Sequence, residues 1–178
     1  MRYGVRSKKI FCHQLSGIIM FTNKSPFMTS SDDRYFEDYQ LGDVHEFGEY
    51  KVDQTEIIEF ATKYDPQYFH IDPVKANDGP FGEVVSSGFH NCAMAMRLLV
   101  DNYLSTVAGL ASPGLKEVRW LKPVRSDDRL WIRVTVKEAR LSVSKPDRGV
   151  ITSLLEMFNQ NDELVMTFEA AALVLCRP

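Results

Sequence analysis

Cysteine is scarce in this chain. Its three residues, Cys12, Cys92 and Cys176, stand far apart and form no CxxC pair. That spacing excludes a disulfide frame and a cysteine-based zinc site, and it fits a reducing, cytoplasmic setting. Long apolar runs are missing too. The patch Leu15–Phe21 is interrupted by Ser16 and Gly17 and falls well short of the ~20 apolar residues of a membrane span. No membrane partner is therefore expected. There is no GxGxxG, no P-loop and no HExxH, which removes the common nucleotide-binding and zinc-protease chemistries. Acidic residues are absent from the first 31 positions, which hold five basic ones: Arg2, Arg6, Lys8, Lys9 and Lys24. The whole chain has 21 basic and 24 acidic residues, so positions 32–178 carry 16 against 24, a net charge of −8. An acidic body lacks the clustered cations that phosphate backbones require, and nucleic acid is excluded as the main partner.

What remains is ordinary globular material. The 178 residues are 44% hydrophobic and 25% charged, enough to build one domain around a real core. Residues 1–31 read as a tail outside the fold. The opening MRYGVRSKKIFCHQLSGIIMF has basic and apolar parts like a targeting peptide, but no A-x-A cleavage pattern follows. Met28 is the expected natural start, and 32–178 form the single domain.

Within that domain the patterning changes once. A short strand over 44–52 precedes a helix over 55–63, which Asp53 or Thr55 can cap. Residues 73–88, rich in Gly, Pro and Ser, read as loop. Phe89, Cys92, Ala93, Met96, Leu99, Val100 and Tyr103 then recur at helical spacing as one apolar stripe, widened by Met94, Ala95 and Leu98. After this helix come strands: 115–124, then 129–141 with Leu130, Ile132, Val134 and Val136 alternating, then a hairpin of 150–158 and 164–175 around Asn159–Asp162. Helix and sheet are segregated along the chain, which predicts an α+β class with a curved antiparallel sheet wrapped over one long helix.

One stretch serves neither element. Tyr64 to Pro73 reads YDPQYFHIDP, with Asp65 and His70 set among two prolines and two aromatics. Two titratable groups held in proline-stiffened chain suit acid–base handling of a single water molecule. Burial there would raise the Asp pKa and lower the His pKa, while their mutual attraction acts in the opposite sense.

The segment Asp65-Pro66-Gln67-Tyr68-Phe69-His70-Ile71-Asp72-Pro73, followed by Ala76, resembles the Asp/His motif of the MaoC-like dehydratases and (R)-specific enoyl-CoA hydratases. VVSSGFHNCAMAMRLL resembles that family's loop-to-helix junction, and RWLKPVRSDDRL its strand pair. The likeness spans about residues 35–175. It implies a hot-dog fold and a hydro-lyase that interconverts trans-2-enoyl-CoA and (3R)-3-hydroxyacyl-CoA. It also implies a homodimer or dimer-based oligomer. An acyl-CoA or acyl-carrier-protein thioester would be the partner, with no metal and no separate cofactor. Asp65 and His70 would be catalytic: Asp65 would orient and deprotonate water, and His70 would deliver a proton. Gly88 would offer its backbone N–H, at a helix start, to the thioester oxygen. Tyr64, Phe69, Ser87, Phe89 and Met96 would surround the substrate. Three positions depart from the family pattern: Tyr64 stands where a small residue is common, Asp127 replaces a glycine before Asp128, and Met96 replaces a serine. A hot-dog thioesterase, or an acyl-thioester binding module without activity, is the alternative.

Other polar residues carry plainer expectations. His13 and His45 read as solvated, His90 and Asn91 as first-turn helix polars, and Arg97 and Arg119 as surface ion-pair members. Trp120 and Trp131 are candidate interface anchors.

Overall fold

A computed structural model describes residues 27–178. Positions 1–26 of the expected tail over 1–31, with His13 and Cys12, lie outside the described residues. Five strands, β1 (Val44–Lys51), β2 (Gly109–Trp120), β3 (Arg129–Leu141), β4 (Arg148–Phe158) and β5 (Leu164–Leu175), form one antiparallel sheet in the order β1-β3-β4-β5-β2. Helices α1 (Gln54–Tyr64), α2 (Tyr68–Ile71), α3 (Pro73–Asn77) and α4 (Gly88–Asn102) all lie between β1 and β2 in sequence. The sheet curls over α4, as the α+β hot-dog expectation requires. Among the described residues no helix is long and apolar enough to cross a membrane.

The alternation in β3 buries Leu130, Ile132, Val134 and Val136 against the helix layer. β4 adds Ile151, Leu155 and Met157, and β5 adds Met166, Phe168 and Val174. Burying one such side chain contributes about 1.5–3 kcal/mol, so this face dominates the stability. Across it α4 presents Met94, Ala95, Leu98 and Leu99. This corrects the expected stripe: Phe89, Met96 and Val100 are exposed, and the residues taken as its margin form its buried face. A helix apolar nearly all round gives periodicity no side to choose. At Gly48 (φ +93) a Cβ would sit 2.5 Å from a Leu98 methyl, so the bulge in β1 exists only because this residue is glycine.

The domain boundary also moves. Phe27 stacks on His45 with ring centroids 4.0 Å apart. Buried Arg34 donates to the Thr29 carbonyl at 3.1 Å, and Thr106 N–H donates to the Ser31 carbonyl at 2.9 Å. Residues 27–31 are thus bonded into the domain rather than left with the tail. Arg34 further donates to the carbonyls of Asn102 and Tyr103 at 3.0 and 2.8 Å, closing the C-terminal end of α4 with a cation. His45 is fully buried, not solvated. It shares the inward parity of Phe47 on β1, and burial pushes its imidazole down to about 4. The segment 73–88 is less irregular than its composition suggests, because Asp72 caps α3 by accepting from the Val74 and Lys75 N–H groups. Asp127, in place of glycine, adopts a left-handed φ of 65.

Candidate active site

Two prolines shape the ground on which Asp65 and His70 stand. A residue before proline is pushed out of helical conformation. Accordingly α1 ends at Tyr64, and Asp65 (φ −150, ψ 65) is its C-cap, with its N–H on the Ala61 carbonyl. One turn, α2, carries His70, and Pro73 then opens α3. The turn folds the imidazole back on the carboxylate: His70 Nε2 lies 3.5 Å from Asp65 Oδ2. Both side chains are largely buried, 8% and 23% exposed respectively.

Their hydrogen-bond partners define their protonation. Asp65 Oδ2 accepts from the Ser87 hydroxyl at 2.6 Å, and Oδ1 accepts from the Gln67 amide at 2.8 Å. These donors, Ser87 foremost, hold the carboxyl below the usual carboxylate range despite its partial burial. Asp65 is therefore ionised at neutral pH. His70 Nδ1 lies 2.6 Å from the Val85 carbonyl, which can only accept. The neutral ring must carry its proton on Nδ1 and present a lone pair at Nε2. Two acceptors 3.5 Å apart suit a water that donates one hydrogen to each.

Gly88 is the first residue of α4, and among the described residues nothing accepts from its N–H. Its carbonyl accepts from Trp120 Nε1 at 2.9 Å, and the indole lies flat across the glycine. A Cβ here would stand 2.6 Å from that ring, so Gly88 is required for space, not for a special φ. A cavity of about 430 Å3 brings Asp65, His70 and Gly88 together with Phe81, Phe89 and Trp120.

The other expected substrate contacts divide. Phe89 lines this cavity and meets Trp120 edge-on, with centroids 5.9 Å apart. Ser87 is fully buried and gives its hydroxyl to Asp65, and it does not line the cavity. The same hydroxyl makes no helix cap on α4. Phe69 packs edge-on against His70, 4.5 Å between centroids, behind the cavity wall. Tyr64 ends α1 on its outer side, against Phe60 and under Lys63, away from the cavity. Met96 lies two turns along α4 and lines a separate apolar cavity of about 350 Å3 with Leu99, Leu115 and Phe168.

The sequence reading missed Gln67, Trp120 and Asn91 as site residues. Gln67 had a signal, since an amide two residues after a carboxylate can reach it across a turn. Trp120 had none, because its contact to Gly88 spans 32 residues. Asn91 is buried, lines the same cavity as Asp65 and His70, and leaves its Oδ1 without a partner among the described residues.

Comparison with known proteins places the chain in a family. A family model described as a MaoC like domain matches residues 38–154. The MaoC-like dehydratase from Rhodospirillum rubrum superposes with a TM-score of 0.75 at 34% identity, over 82% of this chain and 99% of that one. Uncharacterized protein YdeM from Bacillus subtilis is 28% identical over 138 residues, 78% of this chain and 96% of its own. The 3-hydroxyacyl-thioester dehydratase Z of Mycobacterium tuberculosis is 36% identical over 81 residues, 44% of this chain and 54% of its own. With a family model matched over well more than half its length, this chain belongs to the MaoC-like domain family.

Proposed function

We propose that the protein hydrates a trans-2-enoyl thioester to the 3-hydroxyacyl thioester and catalyses the reverse dehydration. The observation that carries this reading is the convergence of an ionised carboxylate and an imidazole lone pair, 3.5 Å apart, in one cavity. The naming of the dehydratase Z relative supports it.

The steps follow from the donors and acceptors. Water bound between Asp65 and His70 attacks the β-carbon as His70 Nε2 takes its proton. Asp65 is the weaker proton acceptor because two hydrogen bonds hold it ionised; it orients the water and stabilises the imidazolium beside it. The sequence reading placed proton abstraction on Asp65; here it moves to His70, while Asp65 keeps the orienting role and His70 the delivery. Electrons move to the thioester oxygen, where the Gly88 N–H and the positive end of α4 stabilise the enolate. His70 then returns the proton to the α-carbon and regains its neutral form. Coenzyme A or a carrier protein would enter as the thiol part of the substrate.

We also propose a homodimer. β2 is an edge strand with Leu110, Leu115 and Trp120 exposed, and α4 exposes Phe89, Met96 and Val100. Unpaired edges and apolar patches of this kind call for cover.

The test is loss of enoyl absorbance with crotonyl-CoA and longer enoyl-CoAs. Asp65→Asn and His70→Ala should each lower kcat/KM at least about a hundredfold while the thermal unfolding curve stays near wild type. Wild-type rates in either variant sink the mechanism. Thiol release from saturated acyl-CoA without any hydration would assign a thioesterase instead.

A further inference from the structure

One buried imidazole takes no part in that chemistry. His90, on the first turn of α4, is 2% exposed and stacks on Phe60 with centroids 4.6 Å apart. Its Nε2 lies 3.3 Å from Glu56 Oε1, and its Nδ1 lies 3.1 Å from the Ser86 hydroxyl. Tyr50, a phenol pushed up to about 12 and therefore protonated, donates to both Glu56 oxygens at 2.7 Å. The Glu56 carboxylate can only accept, so the His90 proton sits on Nε2, and Nδ1 accepts the Ser86 hydroxyl hydrogen. Ser86 is held at its other side by its own N–H on the Val124 carbonyl at 2.8 Å. The next two residues are the ones the site depends on: Ser87, on Asp65, and Gly88, which lines the cavity.

We infer that His90 is a positioning residue: its neutral ring, oriented by Glu56, fixes Ser86 and with it the turn that presents Ser87 to Asp65 and the Gly88 N–H to the substrate. Protonation undoes this arrangement. An imidazolium would point Nδ1–H at the Ser86 hydroxyl, and two donors would face each other. The hydroxyl must then turn to its other acceptor, the Ser87 carbonyl at 3.4 Å. That carbonyl already accepts the Asn91 N–H, the first hydrogen bond of α4, at 3.0 Å. A second donor there disturbs the turn from which the Gly88 N–H projects. Burial holds His90 below the usual histidine range, and Glu56 opposes that shift. The charged and titratable groups facing the ring are Glu56 and Glu59 on α1, Tyr50 on β1 and Arg97 on α4.

The effect on catalysis rests on the hydratase reading, but the structural coupling does not, and the experiment separates the two. In 15N-labelled protein without substrate, the Gly88 amide shift and the His90 ring nitrogens are followed through a pH titration. The Gly88 amide should move with the His90 midpoint in wild type. In Glu56→Gln the loss of the carboxylate should shift both midpoints down together by roughly one unit. With enoyl-CoA, where His70 must be neutral as well, the fraction of neutral-pH kcat/KM that survives at acid pH should be larger in Glu56→Gln than in wild type. His90→Asn, which keeps an acceptor near the Nδ1 position, should retain more activity than His90→Ala, whose expected loss is about 10- to 100-fold. A Gly88 amide that ignores the His90 titration overturns the inference, whether or not any hydration is seen. An equal surviving fraction in the two proteins, beside a shifted His90 midpoint, overturns its catalytic part. A Gly88 amide that tracks His90 in a protein with no hydration overturns the proposed reaction alone.

Discussion

Replacing Ser87 with alanine isolates one hydrogen bond. The residue is fully buried, its hydroxyl makes no helix cap, and its one side-chain partner is Asp65 Oδ2 at 2.6 Å. A hydrogen bond to a charged group contributes about 1.5–3 kcal/mol. The Asp65 side chain is 23% exposed, so water takes up part of the loss, and the lower end of that range applies. Roughly 1.4 kcal/mol corresponds to one pKa unit and to a tenfold rate. The Asp65 carboxyl should therefore titrate about one unit higher in Ser87→Ala, with the Gln67 amide still holding it partly down. Because a lowered carboxyl adds stability that is lost as pH falls through its folded pKa, the variant should also lose less stability on acidification. The direct assay is the Asp65 carboxyl carbon shift against pH, with kcat/KM measured in parallel at neutral pH. An Asp65 titration superimposable on wild type would refute the claim that Ser87 sets this charge, and a tenfold loss of rate alone would not rescue it.

Three further outcomes are expected. Gly88→Ala should drive the Trp120 ring away, since the new Cβ would lie 2.6 Å from it; indole fluorescence should shift, stability should fall by about 1–3 kcal/mol, and Trp120→Ala in the same chain should recover part of that loss. Arg34→Ala leaves the Asn102 and Tyr103 carbonyls without their guanidinium donor and should cost about 2–4 kcal/mol in urea unfolding. His45, neutral in the fold because burial pushes it down to about 4 from 6.5, contributes stability above the higher value that is lost as pH falls toward the lower. By about pH 5 the loss should reach roughly 2 kcal/mol, and His45→Phe should flatten that slope; an unchanged slope would remove His45 from the acid response.

The alternation of β3 and the hairpin of β4 and β5 were legible because strand period and turn residues are local signals. The Asp65–His70 pair was legible for the same reason, as both sit on one short segment. Tyr64 and Met96 lie outside the cavity of Asp65 and His70, and no directional signal says so in the sequence: adjacency to Asp65 says nothing about which side of α1 a ring leaves from, and α4 is apolar on several faces. The contact of Ser87 to Asp65, 22 residues away, left no local signal. His45 could have been found from parity alone, because it shares a strand face with Phe47. Asp127 holds a left-handed conformation, one that aspartate occupies more readily than most residues.

The one-turn helix between Pro66 and Pro73 makes the reacting pair a portable unit. Six consecutive residues set the spacing of Asp65 and His70, so drift elsewhere in the chain can leave it intact. The choice of which ring nitrogen bears hydrogen is not portable. It is dictated by the carbonyl of Val85, fifteen positions downstream, so a graft of the segment onto a foreign scaffold would inherit the distance and lose the polarity.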